Sequence, residues 1–173
     1  HKSNPRLEAD LKVCVEERVP LIITSLGAVS QVVDAVHSYG GVVFHDIITL
    51  RHAQKASEAG VDGLICVCAG AGGHAGKLSP FALVGQVRKF FHKTVLVAGS
   101  ISRGDDVLAA LAMGADLAYM GTRFIATQES GAQPEYKQML LDAQAEDIIY
   151  TPAVSGVAAN FMRQSLEKAG ITN

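Results

Sequence analysis

The chain has 173 residues, of which 49% are hydrophobic and 18% charged, and its formal net charge at pH 7 is −2. This hydrophobic content excludes a disordered chain, and the charge argues against a nucleic-acid-binding protein that acts through a broad basic surface. No run of about 18 or more apolar residues occurs, so no membrane-spanning segment is expected. The length fits one domain or part of one.

Five short apolar runs recur along the chain. Each is nearly continuous in hydrophobicity instead of alternating, which is typical of strands buried on both faces of a parallel sheet. The predicted strands cover residues 20–24, 41–44, 63–67, 94–98 and 116–120.

Segments with helical spacing of apolar residues separate these runs. Ser79 followed by Pro80 indicates the start of one helix. Gly60 and Gly114 stand where helix C-caps are expected, in two junctions of similar sequence, Ala-Gly-Val-Asp and Met-Gly-Ala-Asp. One predicted helix face is formed by Val29, Val32, Val33 and Val36.

Alternating strands and helices predict an α/β fold, for which an open doubly wound sheet and a (β/α)₈ barrel compete. A complete barrel needs about 250 residues, so five units would form only part of one. We expect residues 1–130 to be the C-terminal part of a TIM barrel. Residues 131–173 are predicted to be a helical appendage or added domain, with helices over 134–146 and 160–169.

Three cysteines, Cys14, Cys66 and Cys68, cannot form a disulfide framework, and an odd count fits the reducing cytosol. Cys66 lies in the third predicted strand and Cys68 one residue beyond its end, so an extended chain places both on one face. We interpret them as small packed residues, and no metal site is predicted.

In parallel βα folds, ligands bind beyond the carboxyl ends of the strands. The third predicted strand is followed by a glycine-rich loop, residues 69–76, in which Gly72 and Gly73 precede His74. Glycine lets the backbone approach a ligand closely, and imidazole is a common general acid or base near neutral pH. The alternative is a solvent-exposed loop histidine. The spacing does not fit the dinucleotide-binding pattern well.

The last two predicted strands are each followed by a glycine and a hydroxyl, Gly99 with Ser100 and Gly121 with Thr122, and Arg123 adds a guanidinium. Backbone N–H groups in such turns bind phosphate. In TIM barrels the phosphate site is typically built by the last two strand–helix loops, so a phosphorylated ligand is predicted here. The alternative is two ordinary glycine turns.

Other polar residues close the first two strands. Thr24 and Ser25 follow the first run and are candidates to line the same mouth, and His45 and Asp46 close the second. For His45 and Asp46, a charged pair at the active face and a capping or core-edge role are both open. Ser155 lies in a later turn-like segment and is a weaker candidate for the pocket.

Three segments, residues 71–76, 98–101 and 120–130, resemble the nitronate monooxygenase (2-nitropropane dioxygenase) family in their order and spacing. The resemblance covers roughly residues 19–170. It implies a TIM barrel with an added helical domain and non-covalently bound FMN, held by residues 1–130. It also implies oxidation of alkyl nitronates or nitroalkanes with O₂ to a carbonyl compound and nitrite.

The resemblance also assigns residue roles. His74 would be the catalytic base toward the acidic carbon of a nitroalkane, with Gly72 and Gly73 near the flavin. Four residues would hold the FMN phosphate: Gly99, Ser100, Gly121 and Thr122. Met120 and Arg123 would lie adjacent to them.

The chain departs from the family pattern in three ways. Ser100 stands where the family usually has glycine, and Val157 replaces the arginine of a common Ser-Gly-Arg. The N-terminal strands are absent and the chain does not begin with Met, so we expect a fragment that is inactive alone. Its open sheet edges are expected to aggregate or pair, as in a homo-oligomer.

Three other functions stay open from the sequence. An FMN-dependent NAD(P)H reductase acting on enoyl thioesters or quinones would use the same barrel and the same glycine-rich loop that carries His74 (residues 69–76, the histidine loop). A phosphate-ligand barrel without flavin, such as a sugar-phosphate isomerase, would use only the two glycine turns. The third is a non-catalytic fragment that pairs with another chain through its sheet edges.

Overall fold

The computed structural model describes residues 4–27 and 30–171. The strands are β1 Leu21–Thr24, β2 Val42–Ile47, β3 Gly63–Val67, β4 Gly73–His74, β5 Thr94–Ala98, β6 Leu117–Tyr119, β7 Ile148–Thr151 and β8 Ala159–Met162. The helices are α1 Leu7–Glu16, α2 Ser30–His37, α3 Leu50–Glu58, α4 Pro80–Val87, α5 Gly104–Ala112, α6 Thr122–Ile125, α7 Pro134–Asp142 and α8 Arg163–Lys168, with a 3₁₀ turn at Ala145–Asp147. Within the described ranges, none of these helices is long and apolar enough to cross a membrane.

The main sheet has five strands in the order β1-β2-β3-β5-β6, and every neighbouring pair is parallel. A doubly wound sheet reverses its strand order at a switch point, whereas this order never reverses. The sheet is therefore part of a barrel, and the predicted α/β partial TIM barrel is confirmed. All five predicted strands are present, and β2 continues past its predicted end at residue 44 to Ile47.

Alternate strand residues build two apolar layers because successive side chains point to opposite faces of a sheet. The larger layer packs the strands against α2 to α5 and includes Cys66 and Cys68. The predicted face of α2 is buried at Val32, Val33 and Val36, while Val29 lies outside the described residues. The smaller layer is the concave face of the sheet and contains Phe44, Ile65, Val67, Leu96 and Ala98.

The packing interpretation of the two strand cysteines is confirmed. Cys66 and Cys68 are fully buried, and burial raises the pKa of each thiol to about 12. A thiol that stays protonated at neutral pH is a poor nucleophile and metal ligand.

The two similar Gly-x-Asp junctions make the same contact at the amino ends of β3 and β6. The backbone N–H of Val43 donates to Asp62 Oδ2 over 2.9 Å, and that of Val95 donates to Asp116 Oδ2 over 2.8 Å. Each aspartate thus ties its own strand to the one before it in the sheet. The repeated sequence therefore has a structural role: it joins neighbouring strands at the end of the sheet opposite the strand carboxyl ends.

The prediction that residues 131–173 are helical is wrong in part. This segment contains α7 and α8, but also β7 and β8, which form an antiparallel sheet with β4. The predicted helix over 160–169 begins only at Arg163, because residues 159–162 pair with the β-branched and aromatic run of β7. The boundary at residue 130 stays a prediction.

Candidate active site

A cleft of about 1030 Å³ lies at the carboxyl ends of β3, β5 and β6. Its walls come from the three loops that follow these strands and from the C-terminal segment. Arg123 is not among its lining residues, and its side chain is exposed on α6. Thr24, Ser25 and Ser155, the candidates for the mouth of the pocket, do not line it either. The predicted catalytic and cofactor-binding residues other than Arg123 all line this cleft: Gly72, Gly73, His74, Gly99, Ser100, Met120, Gly121 and Thr122.

The glycine-rich loop packs directly on the two glycine–hydroxyl turns. A Cβ added to Gly70 would collide with Ser100 Oγ, and one added to Gly72 would lie 2.5 Å from Thr122 Oγ1. The backbone N–H of Ser100 also donates to Gly70 O over 3.1 Å. A β-carbon at either position would force the facing side chain, Ser100 or Thr122, to turn away, so the loops are in close contact although they are distant in sequence.

The turn after β5 has an unusual backbone. Gly99 has φ +133° and Ser100 has φ +55°, so two successive residues lie at positive φ. Glycine adopts such a conformation without steric cost, whereas a residue with a side chain does so at a cost of about 1 kcal/mol. A glycine at position 100 would thus suit this backbone better than the serine present here.

The open space beside these turns suits a phosphate. A Cβ at Gly73 or Gly121 would meet nothing within 4 Å, and both residues line the cleft. The hydroxyls of Ser100 and Thr122 belong to the same walls. Neutral hydroxyl and backbone donors around an open glycine-lined space are a donor set that fits a bound phosphate group.

His74 lies in the two-residue strand β4, which pairs with β8. Its side chain is exposed, and its Nε2 lies 3.4 Å from Ser155 Oγ. The Ser155 hydroxyl in turn donates to Val157 O over 3.2 Å. The structure thus brings the predicted candidate Ser155 to His74, across 81 residues of sequence.

Sequence analysis missed two other residues that join the C-terminal hairpin, β7 and β8, to the histidine loop. Asn160 Nδ2 donates to Ala71 O over 2.7 Å, and the Tyr150 hydroxyl donates to Ala75 O over 3.2 Å. The available signal was Asn160 itself, a lone amide within the apolar run Ala-Asn-Phe-Met.

For His45 and Asp46, an active-face role and a capping or core-edge role were both open, and the structure gives one role to each residue. Asp46 lines the cleft, and its pKa is raised by burial, which a hydrogen bond from Ser25 partly offsets. His45 is buried, and its Nδ1 lies 2.8 Å from Thr24 Oγ1. Its pKa is lowered by burial and by the charge of His52. Asp46 therefore belongs to the active face and His45 to the core edge.

The wall of the cleft that comes from the C-terminal segment is mostly apolar, with Asn160 and Ser165 as its polar members. Tyr136 and Leu140 are on α7, Ile148 begins β7, and Phe161 and Met162 end β8. These residues did not figure in the sequence analysis, because the segment was expected to be an appendage. The cleft therefore joins a polar, glycine-lined end to an apolar end.

Comparisons with known proteins agree with this architecture. A nitronate monooxygenase family model matches residues 4–170. A nitronate monooxygenase of Paraburkholderia phytofirmans is 32% identical over 94% of this chain and 47% of its own length. A 5-hydroxy-7a-methyl-1-oxo-octahydro-1H-indene-4-carboxyl-CoA dehydrogenase of Rhodococcus jostii is 29% identical over 92% of this chain and 46% of its own length.

Among solved structures, the nitroalkane oxidase of Streptomyces ansochromogenes aligns with a TM-score of 0.81 and 30% identity. The alignment covers 90% of this chain and 48% of that one. The chain spans less than half the length of the curated relatives it matches. The family model nevertheless covers the whole region that carries the fold and the cleft. The chain therefore belongs to the nitronate monooxygenase family.

Proposed function

We propose that the protein containing this chain is an FMN-dependent enzyme that oxidises alkyl nitronates or nitroalkanes with O₂ to a carbonyl compound and nitrite. The observation that carries the proposal is the joint position of His74 and the two glycine–hydroxyl turns in one cleft. Membership of the family, and the activities for which the Paraburkholderia and Streptomyces relatives are named, support the same reaction.

In this proposal, Gly99, Ser100, Gly121 and Thr122 bind the FMN phosphate through two hydroxyls and the backbone N–H groups of Gly99, Gly121 and Thr122, since the Ser100 N–H donates to Gly70 O. Gly73 leaves space for the ring system, because nothing lies within 4 Å of its Cβ position. When bound, FMN supplies the electron transfer between the substrate and O₂.

His74 is proposed as the base that removes the proton from the acidic carbon of a neutral nitroalkane. The Ser155 hydroxyl donates to Val157 O, so its oxygen is free to accept a hydrogen bond from His74 Nε2–H. This tautomer leaves Nδ1 as the proton acceptor. A pre-formed nitronate has already lost this proton and does not need the step.

The test is an oxygen-uptake assay on the full-length protein loaded with FMN, with a small alkyl nitronate as substrate and nitrite measured in parallel. The proposal predicts O₂ consumption accompanied by nitrite release. Protein stripped of FMN is the control and should give neither. A yellow, FMN-loaded protein that consumes no O₂ with any nitronate would overturn the proposal.

A second candidate is an FMN-dependent NAD(P)H reductase acting on an enoyl thioester or a quinone. Two observations favour it. One is the apolar end of the cleft, and the other is the Rhodococcus relative, which is named for a CoA thioester with a fused carbon ring system. Rapid bleaching of the flavin by NADH or NADPH without air would support this candidate.

We place either enzyme in the cytosol, because the three cysteines are free thiols.

A further inference from the structure

The C-terminal hairpin pairs with both residues of β4, the short strand of the histidine loop. Gly73 pairs with Asn160 and His74 with Ala159 in the antiparallel ladder. A two-residue strand has little stability alone, so its position depends on what it pairs with. The location of His74 therefore depends on β8 as well as on the bond from Gly76 N–H to Val67 O, which returns the loop to the barrel sheet.

Asn160 adds a side-chain tether to this backbone pairing. Its amide nitrogen donates to Ala71 O over 2.7 Å, across 89 residues of sequence, and the side chain is partly buried in the cleft wall. Ala71 is buried and precedes Gly72, the glycine packed on Thr122. One asparagine thus contacts the loop on both sides of Gly72: through its side chain at Ala71 and through its backbone at Gly73.

We propose that Asn160 is a positioning residue that acts through the Ala71–His74 loop to hold the imidazole in place for proton abstraction. The amide is suited to this role because it donates to a backbone carbonyl without adding a charge to the cleft. A loop that carries a catalytic group needs such support, since a misplacement of about 1 Å costs roughly 10²-fold in rate. The proposal rests on the function proposed above only for its rate effect.

The test compares Asn160→Asp and Asn160→Ala with the parent full-length protein. Asn160→Asp keeps nearly the shape of the amide, removes the tether and adds a negative charge, whereas Asn160→Ala removes the tether without adding a charge. An effect shared by both variants is therefore due to the lost hydrogen bond. Gln138→Ala is the matched control, because it removes an exposed amide that hydrogen-bonds only on α7, to Asp142 Oδ1 over 2.9 Å.

The first measurement is amide hydrogen exchange, which needs no substrate. We expect faster exchange in residues 70–76 of both Asn160 variants, with β3 and β5 unchanged and Gln138→Ala like the parent. The second compares turnover of a neutral nitroalkane with that of its pre-formed nitronate. We expect kcat for the nitroalkane to fall about 10–100-fold, with KM and the nitronate rate within about threefold.

The outcomes separate the two proposals. Unchanged loop exchange in both variants would overturn the positioning role, whatever the activity of the protein. Equal losses on nitroalkane and nitronate would also overturn it, because a purely structural defect lowers the amount of active enzyme for both. Absence of activity in the parent protein, together with faster loop exchange, would refute the proposed reaction and support the tether.

Discussion

Gly72 and Thr122 meet across the candidate phosphate site: a Cβ on Gly72 would stand 2.5 Å from Thr122 Oγ1. The two residues are far apart in sequence, and the glycine is what lets their loops touch. Gly72 is not among the glycines at positive φ, so this close approach is the constraint at this position.

Gly72→Ala should therefore force the Thr122 side chain to turn away and destabilise the protein by about 1 kcal/mol, at the low end of the cost of overpacking. It should also weaken FMN binding, measured by flavin fluorescence. Combining it with Thr122→Ala removes the clashing oxygen and should recover most of the lost stability. Additive losses in the double variant would contradict the contact.

Gly85→Ala is the control for this series. Gly85 lies inside α4, and a Cβ there would meet nothing within 4 Å. Alanine has the higher helix propensity, so thermal unfolding should show a gain of about 0.5–1 kcal/mol. FMN binding should be unaffected.

Asp116 should make stability depend on pH. The backbone N–H of Val95 and the Arg88 guanidinium stabilise its carboxylate and lower its pKa, against a smaller opposing effect of burial. Its contribution is therefore complete above the pKa of the unfolded chain and is lost as the pH falls through the folded pKa. Asp116→Asn should destabilise the protein in urea unfolding at pH 7, and by less at about pH 2, below the pKa of the unfolded carboxyl. Asp105→Asn, at an exposed aspartate of α5, is the control; the same pH dependence there would refute the assignment.

Asp46 should behave in the opposite way. Burial raises the pKa of its carboxyl, so the folded state holds the proton more tightly than the unfolded state. Its favourable contribution is complete at low pH and is lost as the pH rises through the folded pKa. Asp46→Asn should raise the melting temperature at pH 7, and this gain should vanish in acid. A gain that is independent of pH would show that the charge is not its source.

Ser100 combines an unfavourable backbone conformation with a candidate phosphate-binding hydroxyl. Ser100→Gly should stabilise the protein by about 1 kcal/mol, because φ +55° no longer costs energy. The same change should weaken FMN binding by about tenfold through loss of the hydroxyl. Ser100→Ala should weaken FMN binding without any gain in stability. Equal melting temperatures for Ser100→Gly and Ser100→Ala would contradict this account.

The strands of the main sheet and the helices between them could be predicted because their signals are local. Continuous apolar runs gave all five strands of the main sheet, and Ser79 followed by Pro80 correctly marked the start of α4. The end of β2 was missed because polar residues close it. Residues 45 and 46 continue the strand, and side chains alternate between the two faces of a sheet. A strand that extended to residue 47 would therefore have predicted His45 and Asp46 on opposite faces.

The C-terminal hairpin could not be predicted in the same way. Its contacts with the histidine loop join residues 75 to 89 positions apart, such as Tyr150 with Ala75 and Asn160 with Ala71. A local pattern carries no information about such a partner. The glycine-rich loop and the two turns were located because glycine and histidine at strand ends are local signals, whereas the apolar wall of the cleft depends on the hairpin's tertiary position.

The most direct test of the central claim is the effect of His74→Ala on two forms of one substrate. Turnover of a neutral nitroalkane and of its pre-formed nitronate is measured by O₂ uptake with the full-length, FMN-loaded protein. If His74 removes the proton, the nitroalkane rate should fall by about 10²–10⁴-fold while the nitronate rate changes far less. Equal losses on both forms would contradict the assignment of His74 as the base.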